Sequence, residues 1–195
     1  MNKLSPLDFI DNYKARLIST LSEADLSGIS FLAQDMESCW RSGKHVYICG
    51  NGGSAGNAIH IANDFVYGIA KKTGEGLKTT ALSANQAVLT CLANDIDYSD
   101  IYSEQVALFA QQGDILIVLS GSGNSPNIRK AIEQAKSMGI KTYGVFGYDG
   151  GECKDLVDVP IHFEVNDMQI SEDLQLIVFH MIMQWLYKRK DLMKK

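Results

Sequence analysis

A three-layer α/β fold, with one doubly wound parallel sheet behind an N-terminal pair of helices, is predicted from three observations. A strand-like run, a glycine-rich turn and a helical pattern follow one another at 45–67 and again at 114–138, with a weaker third instance at 141–151. The run DILIVL at 114–119 is almost wholly apolar, which suits a strand covered by helices on both faces. Residues 7–43 space their apolar side chains three to four positions apart, the period of helices. With 195 residues, 46% hydrophobic, 21% charged and only 3 Pro, the chain has enough apolar surface to offset the entropy of ordering. One domain over 1–195 is expected, divided into a helical pair (1–43) and an α/β core with a C-terminal helix (44–195).

Phe9, Ile10, Leu17, Ile18 and Leu21, then Ile29, Leu32, Met36 and Trp40, form the helical stripes, and the pair is expected to break near Ser27-Gly28. The period changes at His45 to Cys49, a short strand, followed by the turn Gly50-Asn51-Gly52-Gly53-Ser54 and a helix from Ala55 to Tyr67. Further short strands are expected at Thr79–Ala81 and Val159–Phe163, and helices at about 85–93, 100–111 and 169–189. Asp114 to Leu119 is the second long strand, and Ser120 to Ser125 its turn. Ser125 followed by Pro126 reads as the N-cap and first residue of a helix reaching about Met138. Lys141 to Phe146 and the turn at 147–151 complete the series. Lys188, Arg189, Lys190, Lys194 and Lys195 complement the negative end of the last helix dipole.

Composition removes several function classes. Lys and Arg number 18 against 23 Asp and Glu, a formal charge of -5, so the basic excess that phosphate-backbone contacts need is missing and no nucleic acid is expected. Asp8, Asp11 and Arg16 interrupt the stretch where an export signal would be apolar, and no run of about 18 apolar residues occurs, so neither export nor a membrane span is expected. Cys39, Cys49, Cys91 and Cys153 show no CxxC pairing; reduced thiols in a cytoplasmic protein are the plain expectation.

In open parallel sheets ligands sit beyond the carboxyl ends of the strands, so the turns at 50–54 and 120–125 should face one crevice. The second opens a helix whose free N–H groups and dipole attract an anion, and Ser120, Ser122 and Ser125 can surround a phosphate. No Lys follows as in GxxxxGK[ST], and neither loop matches GxGxxG, so a nucleotide site is disfavoured. Glycine and serine also make ordinary tight turns. Two such loops in one sheet, the second with three serines in six residues, favour a phosphate ligand.

GNGGSAGNAIHIANDF at 50–65 together with SGSGNSPNIRKAIEQAK at 120–136 resembles the SIS (sugar isomerase) domain, and within it the sedoheptulose 7-phosphate isomerase (phosphoheptose isomerase) branch. The likeness extends to Ala93-Asn94-Asp95, the GYDGG turn at 147–151 and a last helix carrying His180. It implies an SIS-type fold, Rossmann-like or flavodoxin-like in its layers, and a homotetramer with active sites at subunit interfaces. It further implies that Asn51, Gly52, Gly53, Ser54, Asn94 and Asp95 line a sugar-phosphate site, and that Ser120, Gly121, Ser122 and Ser125 hold the phosphate. His60, Asp64, Glu172 and His180 fall on its zinc-binding and acid/base positions, one Zn2+ per subunit. Asp64 stands where the family usually has Glu, and Glu172 where it usually has Gln.

Read as residues alone, His60 and Asp64 are i and i+4 on one helical face and can act together. His180 follows Asp173 by seven positions and Glu172 by eight: the resemblance points to Glu172, periodicity to Asp173, and Glu172 can equally compensate the helix dipole. Two imidazoles with carboxylates match the N/O ligands zinc accepts. Within the apolar run LIVFHMIMQWL, His180 is alternatively a core histidine. Ketose–aldose interconversion needs a base, an acid and a polarised carbonyl, for which Asp64 is expected as base and His180 as its acid/base partner. The function expected is a phosphosugar aldose–ketose isomerase, converting sedoheptulose 7-phosphate to D-glycero-D-manno-heptose 7-phosphate through an enediol. The competing expectations are a non-catalytic SIS sensor or assembly protein of the replication-initiator-binding type, and an isomerase of another phosphosugar.

Overall fold

The computed structural model describes residues 5–189; of the terminal basic residues, Lys190, Lys194 and Lys195 lie outside that range. Ser5 starts α1 (Pro6–Glu23): its hydroxyl accepts from the Asp8 N–H while the Asp8 carboxylate accepts from the Ser5 N–H, and Pro6 occupies the first turn, where no N–H is needed. Tyr13, Leu17 and Leu21 rest on the core, but no residue of α1 is buried, and Leu7, Phe9, Ile10 and Ile18 remain exposed. α2 (Ser27–Arg41) buries Leu32, Met36 and Trp40 as the spacing predicts. The break lies at 24–26, ahead of the expected Ser27-Gly28. Gly28 is inside α2, where a Cβ would come within 2.9 Å of the Pro160 carbonyl, so this glycine lets the helix approach the sheet.

Five parallel strands, β1 (Val46–Gly50), β2 (Thr79–Ala81), β3 (Ile115–Ser120), β4 (Lys141–Phe146) and β5 (Val159–His162), lie in the order β2-β1-β3-β4-β5. Val46 pairs with Ile115 and Gly50 with Leu119, so β1 and β3 end level with one another. β2 is three residues long, and Pro160 in β5 pairs with Gly144 at the opposite margin. Alternate residues of β3 enter opposite layers: Ile115, Ile117 and Leu119 join one core with α2 and the last helix, Leu116 and Val118 the other. Each fully buried Ile or Leu contributes roughly 1.5–3 kcal/mol.

The helix expected over 55–67 is longer and not uniform. α3 (Gly53–Asn63) passes into a π turn at Asp64–Gly68 and resumes as α4 (Ile69–Thr73). Tertiary contact causes the widening: the Leu77 N–H donates to the Phe65 carbonyl at 3.0 Å, and Gly76 lies against the Val66 carbonyl where any Cβ would collide. α5 (Gln86–Asp95) follows β2. The helix expected over 100–111 is a 3-10 turn at Tyr98–Asp100 and α6 (Ser103–Phe109). α7 (Pro126–Ser137) and α8 (Gly151–Leu156) flank β4, and α9 (Met168–Tyr187) closes the fold. Among the described residues no helix is long and apolar enough to cross a membrane, and all four cysteines are free.

Asp167 caps α9, accepting from the Ile170 N–H at 3.1 Å, and the Arg16 guanidinium donates to it at 2.7 Å, tying α1 to this helix start. The Ile170 N–H bond, and then Arg16, hold the Asp167 carboxyl below its ordinary 3.8. A folded-state pKa lower than the unfolded one means that this stabilisation is complete above about pH 4 and is lost as pH falls further. Asp167→Ala is expected to cost about 1 kcal/mol at pH 7. Asp167→Asn should narrow the gap between urea midpoints at pH 5 and pH 3; an unchanged gap would count against this account.

Candidate active site

The strand order reverses direction between β1 and β3, so the turns after these neighbouring strands flank one crevice at the carboxyl edge. The bends at 51–54 and 120–125 are therefore together, and they are also bonded: Asn51 Nδ2 donates to Asn127 Oδ1 at 2.8 Å and Asn127 Nδ2 to Asn51 Oδ1 at 2.9 Å. Tyr98 OH donates to Asn51 Oδ1 at 3.2 Å, and Tyr102 OH, fully buried, to the Gly50 carbonyl at 2.5 Å. Burial raises the Tyr102 phenol well above its ordinary range, which keeps it a neutral donor.

The serine loop is shaped by backbone bonds. Ser120 Oγ accepts from the Gly123 N–H at 3.0 Å, the Gly121 carbonyl accepts from Gly147 N at 3.0 Å, and the Gly123 carbonyl from Cys153 N at 2.9 Å. Gly123 has φ +65° and lies against the Gly150 carbonyl, a contact open only to glycine. Ser125 is the N-cap of α7 with Pro126 next, as the sequence predicts, but its hydroxyl makes no capping bond. That hydroxyl, the Ser122 hydroxyl and the N–H groups of the first α7 turn form a donor set suited to a phosphate.

α3 and α9 bring the remaining candidates together. The Glu172 carboxylate lies over Gly53 at the start of α3, where the helix dipole favours a negative charge. One turn on, buried Gln175 donates to Ser54 Oγ at 3.0 Å and accepts from Asn57 Nδ2 at 2.9 Å, while Asn57 also donates to the Glu172 carbonyl at 3.0 Å. Beyond this, His60 Nε2 is 3.3 Å from His180 Nε2, and Asp64 Oδ2 is 3.4 and 3.5 Å from the two imidazoles. Metal–ligand bonds of about 2.0–2.1 Å in a tetrahedron place ligand atoms about 3.3–3.4 Å apart, so the spacing of His60, Asp64 and His180 is that of a trio that could hold a metal ion. The three side chains are 50%, 20% and 43% exposed in that order, so the trio is reachable.

The two residues weighed against each other near the start of α9 divide cleanly. Asp173 accepts from Tyr13 OH on α1 at 2.7 Å, away from the loops, and Glu172 is the one at Gly53. Glu172 does not join the His60, Asp64, His180 group, in contrast to the expected four-ligand cluster. It lies eight residues from His180, about 12 Å along α9, with its carboxylate drawn to the α3 N-terminus. His180 is not a core histidine hydrogen-bonded to a carbonyl. Asn94 and Asp95 are exposed at the end of α5 and bond to each other at 2.7 Å; among the described residues neither bonds to the loops. Gly52 and Gly53 are exposed, whereas Ser54 is buried against Gln175. Sequence reasoning missed Asn127, Tyr98 and Gln175. Gln175 had a signal, an amide among the apolar stripe residues Leu174, Val178 and Phe179; the other two had none.

Comparison with known proteins places these features in context. The SIS domain family matches residues 8–147. A phosphoheptose isomerase from Crocosphaera subtropica is 41% identical over 143 residues, covering 73% of this chain and 72% of its own. Solved phosphoheptose isomerases from Francisella tularensis and Neisseria gonorrhoeae superpose with TM-scores of 0.87 and 0.85, each at 26% identity, covering 94% and 93% of this chain and 99% and 98% of their own.

Proposed function

The chain belongs to the SIS domain family, and from that premise we propose that it is a phosphoheptose isomerase, an aldose–ketose isomerase interconverting sedoheptulose 7-phosphate and D-glycero-D-manno-heptose 7-phosphate. The observation that carries this reading is the His60, Asp64, His180 triangle on the same α3–α9 wall as the hydroxyl-bearing crevice. From Gly53 to His60 is about 10 Å along α3. An open-chain sugar phosphate, with reacting carbons at one end and phosphate at the other, spans that gap.

Ser120, Ser122, Ser125 and the first N–H groups of α7 hold the phosphate, with Gly121 between the first two serines, and this grip fixes the sugar's orientation. Asn51, Gly52, Gly53, Ser54, Asn94, Asp95 and Glu172 are assigned to the sugar side of the site. Asp64 is the base: Oδ2 faces the imidazoles, and Oδ1 takes the proton from C1 of the ketose as the C1–C2 enediol forms, then returns it to C2. His180 carries the accompanying proton from O1 to O2 in the aldose-forming direction. His60, Asp64 and His180 would hold a zinc ion, which when bound supplies Lewis-acid polarisation of the carbonyl. One Nε2 cannot hold an ion and a proton at once, so dependence on metal separates the two roles of His180.

A non-catalytic SIS sensor or assembly protein is not favoured, because relatives at this identity are named isomerases and the chain keeps His60, an acidic residue at 64 and His180. We read 1–195 as one SIS domain of a cytoplasmic protein; the exposed apolar side chains of α1 support contact between subunits, and the family resemblance sets their number at four. The deciding experiment incubates the protein in heavy water with sedoheptulose 7-phosphate and other ketose phosphates, with and without chelator. Solvent deuterium on carbon in the seven-carbon sugar is expected. Inertness toward every ketose phosphate would overturn the isomerase, and preference for a different one would move the substrate.

A further inference from the structure

The Asn51 side chain, which the proposed function places against the sugar phosphate, is held by two residues to which that function assigns nothing. Asn127, two positions beyond Ser125 and 1% exposed, exchanges reciprocal amide bonds with it, and Tyr98 OH donates to Asn51 Oδ1. We propose that Asn127 and Tyr98 are positioning residues that fix the plane of the Asn51 amide, so that it meets the substrate as a hydrogen-bond donor to an oxygen.

A carboxamide offers two N–H donors and two acceptor lone pairs. In this arrangement both lone pairs of Asn51 Oδ1 are filled, one by Asn127 and one by Tyr98, and one of the two N–H donors is engaged by Asn127. One N–H is left. A phosphate, hydroxyl or carbonyl oxygen satisfies it. The reciprocal pair also ties the turn after β1 to the helix that begins directly after the serine loop, so the donor keeps a set distance from the phosphate grip. Tyr98 adds the third segment, the turn at 98–100. Tyr98 is 58% exposed, so the hydroxyl can be removed without opening the core.

The inference rests on the isomerase reading only for the choice of ligand, and a double-mutant cycle between Tyr98→Phe and Asn51→Ala tests it. Affinity for sedoheptulose 7-phosphate is measured by calorimetry, and KM and kcat by turnover. Tyr98→Phe is expected to weaken binding by about two- to tenfold, mostly in KM, and to add nothing once Asn51 is Ala. Asn127→Ala, checked for an intact melting transition, should show the same dependence on Asn51. Equal losses in both backgrounds, or no loss from Tyr98→Phe in the native protein, would overturn the proposal. A protein that binds the sugar phosphate without isomerising it contradicts the isomerase and leaves the cycle decisive through affinity. One that isomerises it with uncoupled effects contradicts only the positioning roles, and absence of binding defeats both.

Discussion

Asp64→Asn is expected to lower kcat by about 10²- to 10⁴-fold, the range that a positioned acid or base contributes, while affinity for the phosphosugar stays within a few-fold. In barrier terms the loss is about 3–5 kcal/mol. The substitution is nearly isosteric and leaves the π turn intact, since that turn depends on the backbone of Phe65 and Leu77. It removes the charge, the ability to take a proton, and one of the three groups that would hold a metal ion, so turnover is compared with and without chelator. Affinity is expected to be spared because the proposed phosphate grip lies in the turn after β3, which has its own backbone bonds to the segments at 147 and 153. His180→Ala is expected to behave in the same way. Turnover and calorimetric affinity measured on both variants decide the matter: unchanged kcat in either one removes that residue from the chemistry, and parallel loss of kcat and affinity makes it a structural support.

Gly123→Ala has the second large effect, on stability and phosphate affinity together. At φ +65° an L side chain pays about 1–2 kcal/mol, and here the new Cβ also meets the Gly150 carbonyl, which is backbone and has no rotamer to change. Overpacking of this kind adds about 1–3 kcal/mol. The sum, roughly 2–5 kcal/mol, corresponds to a fall in Tm of about 4–20 °C for a chain of this size, and the serine loop must move. Gly139→Ala is the control, because φ is +69° there and nothing lies within 4 Å of the added carbon. It carries the conformational penalty alone. Similar Tm values for the two variants would mean that the 123–150 contact does not brace the loop.

Much of this was readable in the residues, because local pattern and tertiary environment agree where the core is densest. ILIVL is buried on both faces because it is β3, the middle strand of five, and the Ser125-Pro126 start of α7 needs only local chemistry. The expectations that departed from the structure depend on partners far along the chain. No period in IANDFVYG announces a π turn, since its cause is an N–H at Leu77. Gly28 reads as a breaker and is a packing glycine, which only the neighbouring β5 explains. Within the site, i,i+4 spacing joined His60 to Asp64, and His180 arrived on their stripe through the parallel packing of α9 on α3. Periodicity chose Asp173 over Glu172 wrongly for the loops, because the side of α9 that faces Gly53 is set by packing. Asn127 could not have been found without its partner across the crevice.

The two outermost strands set a limit on how this protein can multiply. β2 offers only three residues for pairing, and β5 places the imide nitrogen of Pro160 in its short run, so it lacks one ladder donor. Neither flank is a good template for continuing the ladder into another copy. Growth by strand addition, the route to fibrous aggregates, is therefore disfavoured at both ends of the sheet.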